Sequence, residues 1–295
     1  MVRDSIQFFN RRVELNVCYM LEMSTAHSRR HKMLTSIEKL REEVILSLEH
    51  NTKVNLWWRD DDLINNSVKF NNLVDISGNY GVPVLISIIP GLTSDSLDIH
   101  HCDEELIYFC QHGWKHINHE LDGELKSEFG STRETSVVLD EIISGQMKLT
   151  YLLGERRLPV FVPPWNTFGD KHLNILKDRG FTGLSTHNIR KSPFAIGDIR
   201  IANTHIDILR WHAHANPSMI PLENIIEKIT DLVRRQRIHP LPDPEPIGLL
   251  SHHRAMDKDS WLMIDELFSV LASISGITWM TPPKVFEKPK IILVD

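Results

Sequence analysis

The sequence predicts an α/β fold, a parallel sheet of about seven strands curled into a barrel with its helices outside. Two observations predict it. Short apolar runs alternate with helical periodicity for most of the chain beyond residue 51, and strands separated by helices pair in parallel. With no internal repeat or low-complexity tract in the 295 residues, the length suits one barrel unit, since such barrels run to roughly 200–250 residues.

Residues 1–35, rich in Arg, His and Met, show no sustained period and read as a leader. Over Ser36–His50 the apolar positions Ile37, Leu40, Val44, Ile45 and Leu48 recur at three- and four-residue spacing, which predicts an amphipathic helix with Ser36 at its start. The chain therefore divides into a leader and helix, 1–50, and a barrel, 51–295. Within the barrel, Val54–Arg59 reads as a strand, Val68–Tyr80 as a helix, and Val82–Ile89 as a buried strand closed by Pro90 and Gly91. Glu104–Cys110 reads as helical, Arg133–Leu153 as a long helix ending at Gly154, and Val160–Val162 as a strand stopped by Pro163 and Pro164. Asp170–Asp178 follows as a helix capped by Gly180, then Phe181–Ser185 as a strand. The last third repeats the alternation, with strands at Ile199–Ala202, Ile247–Leu250 and Ile277–Met280 and helices at Pro221–Gln236 and Ser260–Ser273. His239–Pro246, with four prolines, is a loop.

Composition narrows the partners. Lys+Arg 33 against Asp+Glu 39 gives a net charge of -6, so no global basic field recruits nucleic acid or an anionic membrane. A small-molecule or oligosaccharide substrate stays open. Cys18, Cys102 and Cys110 form no framework of pairs, no apolar run reaches the roughly 18 residues of a spanning helix, and the first residues lack the apolar core of a signal peptide. The expectation is a cytoplasmic protein. Histidine, at 16 copies, is the outlier, and its copies cluster.

Five segments concentrate chemistry where strands end, which is where such barrels carry their sites. Trp57-Trp58-Arg59-Asp60-Asp61-Asp62 closes the first strand with three carboxylates, a run that is either solvated or neutralised by a cation. Period-two alternation sets Asp60 with Asp62 on one face and Arg59 with Asp61 on the other, if the strand persists that far. Next, His112 and His116 are spaced as on one face of a helical turn, close enough for two imidazoles to reach one metal ion; His119 offers a competing pairing with His116. Val162-Pro163-Pro164-Trp165-Asn166 is a rigid strand exit with an aromatic, Thr204–His212 holds Asp207 and Trp211, and Leu250-Ser251-His252-His253-Arg254 ends an apolar run with histidines suited to proton donation. Taken singly, an acidic run caps a helix, a histidine fills a core and a tryptophan packs; their clustering at strand ends turns the reading toward chemistry.

The order and spacing of these segments resemble the polysaccharide deacetylase family, the NodB-homology domain of carbohydrate esterase family 4, over roughly residues 51–285. The resemblance implies a distorted (β/α) barrel. The family's Thr-Phe-Asp-Asp-Gly falls on Arg59-Asp60-Asp61-Asp62-Leu63, implying Asp61 as base and Asp62 as metal ligand; its two histidines fall on His112 and His116. Its Arg-Pro-Pro-Tyr-Gly meets Val162-Pro163-Pro164-Trp165-Asn166, its Asp and Trp meet Asp207 and Trp211, and its Leu-x-His meets Leu250-Ser251-His252. Two departures mark a divergent branch: Leu63 replaces the glycine, and Val162 replaces the arginine that orients the base, a role open to Arg59 or Arg254.

What the resemblance implies is metal-dependent hydrolysis of a linear amide, most simply N-deacetylation of an amino sugar or related N-acyl compound. One carboxylate and two imidazoles leave a divalent cation an open position; zinc is the default, with cobalt, nickel, manganese and iron also suited. Asp61 would take a proton from the attacking water, the Trp165 N–H would meet the oxyanion, and His252 would protonate the amine. Trp114, Trp165 and Trp211 would line the cleft with Arg59, Pro164, Asn166 and Asp207, while Asp60, His119, His253 and Arg254 lie close in sequence. Two other readings stay open: a metal-binding protein without turnover, motivated by Val162, and a phosphohydrolase built on the carboxylates.

Overall fold

The computed structural model describes residues 30–212 and 215–288, so most of the leader read at 1–35 lies outside the described residues. The first helix, α1, spans residues 30–49. Strand β1 (Val54–Leu63), helix α2 (Val68–Tyr80), and strands β2 (Val84–Ile88) and β3 (Ile107–His112) follow. Then come α3 (Thr135–Leu153), β4 (Arg157–Val162), α4 (Leu173–Asp178), and short strands β5 (Gly183–Leu184), β6 (Arg200–Ile201) and β7 (Ile206–Asp207). A hairpin of β8 (Leu209–His212) and β9 (Ala215–Met219) leads to α5 (Leu222–Ile238), β10 (Ile247–Ser251), α6 (Lys258–Ala272), β11 (Ile277–Trp279) and α7 (Pro282–Val285).

Among the described residues nine strands form one sheet, in the order β6-β5-β4-β3-β2-β1-β10-β7, with β11 beside the start of β1. Every pairing in it is parallel, as buried strands joined by helices require. The curled sheet is the one the alternation predicts, with two strands more than the expected seven or so. The extra ones, such as Ile206–Asp207, are two residues long and carry no readable period.

Both faces of the sheet are covered. Trp57 and Trp58 are consecutive, yet Trp57 packs inside with Leu85, Cys110, Val160 and Val162, while Trp58 faces the helices and meets Phe268 of α6 edge to face, with ring centroids 4.9 Å apart. Burying a side chain of this class is worth about 1.5–3 kcal/mol. Helix α1 adds Leu40 and Val44 to the outer core, and its buried Glu43 accepts from Arg237 at 2.6 Å and Arg234 at 3.1 Å on α5. Ser36 is not its start: the helix begins earlier, and Ser36 donates from Oγ to the Lys32 carbonyl at 3.1 Å, one turn back.

The helix expected at Glu104–Cys110 is instead β3. All five residues of β2 pair with it, from Val84 opposite Ile107 to Ile88 opposite Gln111, and this tertiary ladder overrides the local spacing. The correction matters for the site, because it puts His112 at the carboxyl end of a central strand.

Candidate metal centre

Alternation sends Arg59 and Asp61 to the inner face of β1 and Asp60 to the outer face. Alternation alone would also return Asp62 outward. Instead Asp62 adopts φ 77° and the β1–β2 pairing shifts register between Asp60 and Leu63, the kind of bulge that re-aims a side chain. Asp61 and Asp62 therefore open into the same cleft, correcting the pairing of Asp60 with Asp62. Holding a non-glycine residue in that conformation costs of order 1–3 kcal/mol, and such strain clusters where function needs it.

Asp60 is fully buried on the far side. It accepts from Ser251 Oγ at 2.6 Å and the His253 N–H at 2.9 Å, and His253 Nδ1 stands 2.5 Å from its other oxygen. Trp58 Nε1 donates in turn to Ser251 Oγ at 2.9 Å. Every oxygen of Asp60 is thus spent on pinning β1 to the end of β10.

Asp61 faces the cleft from a buried position. Ser87 Oγ donates to it at 2.6 Å and Arg59 Nη2 at 3.0 Å. Arg59 is itself held by Ser185 Oγ at 2.7 Å, the Thr186 carbonyl at 3.2 Å and Asn166 Oδ1 at 2.6 Å. Burial alone would raise the Asp61 pKa; the charge of Arg59, then of His112 and His252, and the Ser87 bond outweigh it and hold the carboxyl below its usual range.

His112 and His116 do not share a helical turn. His112 ends β3, and the chain then turns through Gly113 at φ 54° to His116 at φ 57°. A buried carboxylate shapes that turn: Glu128 accepts the N–H of Trp114 at 2.9 Å, of Lys115 at 2.7 Å and, at 3.4 Å, of Ile117. Gly113 is required there, since a Cβ would sit 2.2 Å from Glu128 Oε2.

The turn brings the two imidazoles to Asp62. His112 Nε2 lies 3.2 Å and His116 Nε2 3.5 Å from Asp62 Oδ1, and donor atoms of the three residues all fall within 4.8 Å of one another. The set fits a divalent cation on its own chemistry. His112 Nδ1 faces the Val162 carbonyl at 3.0 Å, so Nδ1 carries the hydrogen and Nε2 is left to present a lone pair at Asp62. Asp62 Oδ1 is buried and has no hydrogen-bond partner. Lone pairs facing one another in a buried site call for a proton or a cation between them.

A proton serves one imidazole of the site but not both. Burial depresses the His116 pKa and the neighbouring charge of His112 depresses it further. Burial opposes charge on His112 too, yet Asp61 and Asp62 raise its pKa on balance. Asp62 is likewise opposed by burial but held far below the usual carboxylate range by His112, with His252 and His116 assisting.

Opposite Asp62, His112 and His116 stands a second pair. His252 Nδ1 is 3.8 Å from Asp207 Oδ1, an ion-pair separation rather than a hydrogen bond. Asp207 accepts from the Leu209 N–H at 2.9 Å and from Trp211 Nε1 at 2.8 Å, and the Trp211 ring stands edge-on to His252 with centroids 4.7 Å apart. Burial raises the Asp207 pKa, partly offset by His252. Trp165, at φ 54°, lays its ring 4.2 Å from that of His116.

The cleft, about 640 Å³, is lined by nine of the expected residues: Asp61, Asp62, His112, His116, Trp165, Asn166, Asp207, Trp211 and His252. Others lie elsewhere. Arg59 and Pro164 are buried beneath it, and Trp114 packs over Gly91 at the edge of the second core. His119 is exposed beyond the Glu128 turn, His253 is on the outer face with Asp60, and Arg254 is exposed, with Nη1 3.5 Å from the Asp62 carbonyl. Of the two arginines open to replace the one missing at 162, Arg59 is the one that touches Asp61. His187 and Asn188 also line the cleft and escape the sequence reading; the signal that could have found them is their place just after the strand expected at Phe181–Ser185.

No family profile matches the sequence, and no curated protein matches it. Among solved structures the chain is similar to a Mycobacterium smegmatis protein classed as a polysaccharide deacetylase, at 11% identity over 79% of this chain and 89% of that one, with a TM-score of 0.56. It is also similar to a peptidoglycan N-acetylglucosamine deacetylase solved with an N-oxidanyl-benzamide, at 13% identity over 79% and 88%, with a TM-score of 0.50. The likeness shows the fold: the curled parallel sheet is that of the polysaccharide deacetylases, as the motif resemblance implies.

Proposed function

We propose that this chain is a metal-dependent hydrolase that removes the acyl group from an amino sugar or related N-acyl compound. One observation carries the reading: Asp62, His112 and His116 converge on a point in a cleft that also holds an ionised, arginine-bound carboxylate and a histidine backed by a carboxylate. Asp62, His112 and His116 would hold the cation, which supplies Lewis acidity toward the amide carbonyl and a water molecule.

The remaining work falls to the chain. Asp61, fixed by Arg59 and Ser87, accepts the proton as the water oxygen bonds to the acyl carbon. The Trp165 N–H meets the developing oxyanion. His252, its Nδ1 turned to Asp207, protonates the nitrogen as the C–N bond breaks, giving a carboxylic acid and a free amine. Trp165 and Trp211 present apolar faces on which a sugar ring packs.

The contact of Arg59 with Asp61 favours turnover over a metal-binding protein without it, since Asp61 would be oriented despite Val162. The test is release of acetate from N-acetylglucosamine oligomers by the full chain supplied in turn with Zn²⁺, Co²⁺ and Mn²⁺. Asp62→Ala and His116→Ala should abolish it along with stoichiometric metal. Release undiminished in both variants overturns the proposal.

A further inference from the structure

A second cavity, of about 360 Å³, is walled by the last turns of α5 and by segments 189–193 and 239–245. The 189–193 wall continues directly from His187 and Asn188, which line the candidate metal cleft, so a single loop separates the two cavities. The proline-rich loop that the metal site leaves unused forms the other wall.

These walls are braced. Arg190 donates to the Ile201 carbonyl at 2.7 Å and to the Asp243 carbonyl at 2.7 Å, and Arg200 Nη2 holds Asp243 Oδ1 at 2.7 Å. Glu245 accepts from the Asn203 N–H at 2.8 Å and the Arg190 N–H at 3.0 Å, with His205 Nε2 at 3.2 Å. Pro242 and Pro244 fix their own φ. Such a hollow does not close by relaxing, and preorganisation of this kind lowers the cost of binding.

Its chemistry is two-sided. The guanidinium groups of Arg190 and Arg200 share the carboxylate of Asp243, and Glu245 faces His205. That leaves Lys191 and Arg235, both exposed at the mouth and without a carboxylate partner among the described residues. Beside them Ile189 is 43% and Leu241 64% exposed, and Leu232 lies on the same lining. Apolar side chains held open on a rigid rim, next to two unmatched cations, suit a ligand with an apolar body and an anionic head.

We infer that this cavity binds a small anionic amphiphile of the class of a medium-chain fatty carboxylate, its chain against Ile189, Leu232 and Leu241 and its head toward Lys191 and Arg235. The site is independent of the metal centre, and its fate does not depend on the hydrolase reading.

Calorimetric titration of the full chain with octanoate tests it, with 1-octanol and acetate as controls. Octanoate should bind saturably at one per chain, at least fivefold tighter than 1-octanol, and acetate should not saturate. Leu241→Asp, and the double variant Lys191→Glu with Arg235→Glu, should each weaken octanoate at least fivefold at unchanged melting temperature, because all three side chains are exposed. In parallel, NMR of the unaltered protein should show octanoate-dependent amide shifts at Ile189 and Leu241. Absence of saturation, equal affinity for octanoate and 1-octanol, full affinity in both variants, or shifts confined to the metal cleft each overturns the inference.

Discussion

Arg59 and Asp61 stand two residues apart on the inner face of β1, Nη2 3.0 Å from Oδ2, both buried. Removing one partner of a buried ion pair costs roughly 3–5 kcal/mol, so Arg59→Met should lose stability of that order in urea unfolding. Its kcat should fall within the roughly 10²- to 10⁴-fold that general-base help is worth. Val162 shares that inner face and lies opposite His112. Adding Val162→Arg to Arg59→Met should therefore restore part of the activity; a double variant no better than Arg59→Met argues that the pair is only structural. The Asp61 pKa is depressed, so its contribution is present above the unfolded carboxylate value, about 3.9, and is lost as pH falls through the folded one. Without the guanidinium, burial raises the Asp61 carboxyl instead, so Arg59→Met should lose less stability than the unaltered chain as pH falls from 7 to 4.

A cation that binds only the folded chain raises its stability by mass action, about 2.7 kcal/mol at a hundredfold excess over Kd. Zn²⁺ or Co²⁺ should accordingly raise the melting temperature of the unaltered protein by several degrees and leave Asp62→Ala unmoved. Equal shifts in both would place the metal elsewhere.

His252 and Asp207 both line the cleft, and Asp207 also holds His252 and Trp211 in place. His252→Ala should lower kcat by roughly 10²- to 10⁴-fold, Asp207→Asn by less, and Trp211→Ala should chiefly raise KM. A loss confined to KM in His252→Ala would contradict proton donation.

Glu128 binds no ligand and offers no sequence motif, yet its carboxylate takes up to three backbone N–H groups of the turn that carries His116. Partners that orient metal ligands typically affect affinity by roughly 10–100-fold. Glu128→Ala should weaken metal by that range and alter the visible spectrum of a Co²⁺-loaded sample; an unchanged spectrum with weaker folding alone would make Glu128 a merely structural residue.

Asp61, Asp62, His112 and His252 were legible because they close apolar runs, and position at a strand end is written in sequence; His187 was not read. How they meet was not. Helical spacing suggested that His112 and His116 share a face, but a strand end, a left-handed turn and Glu128, sixteen residues past His112, bring them together. Alternation suggested Asp60 beside Asp62, but a bulge exchanges Asp60 for Asp61. Strands of two residues, such as Gly183–Leu184 and Ile206–Asp207, exist because neighbours supply their hydrogen bonds, and no period of so few residues can announce them.

His187 gives the cleft a pH limit of its own. Burial, then the nearby charge of Arg59, pushes its pKa down to about 4, while its Nδ1 stays 3.2 Å from Thr204 Oγ1. In the unfolded chain the ring takes its proton near the ordinary value, about 6.5. Protonation therefore favours the unfolded chain, so the neutral ring's stability is intact above about pH 6.5 and erodes as pH falls toward 4. At about 1.36 kcal/mol per pKa unit, the loss is at most about 3 kcal/mol and less to the extent that the ring is wet. His187→Gln removes the titration, so its urea-unfolding free energy should gain on that of the unaltered protein between pH 7 and 4.5. Parallel curves for the two proteins would show that His187 is freely protonated in the cleft.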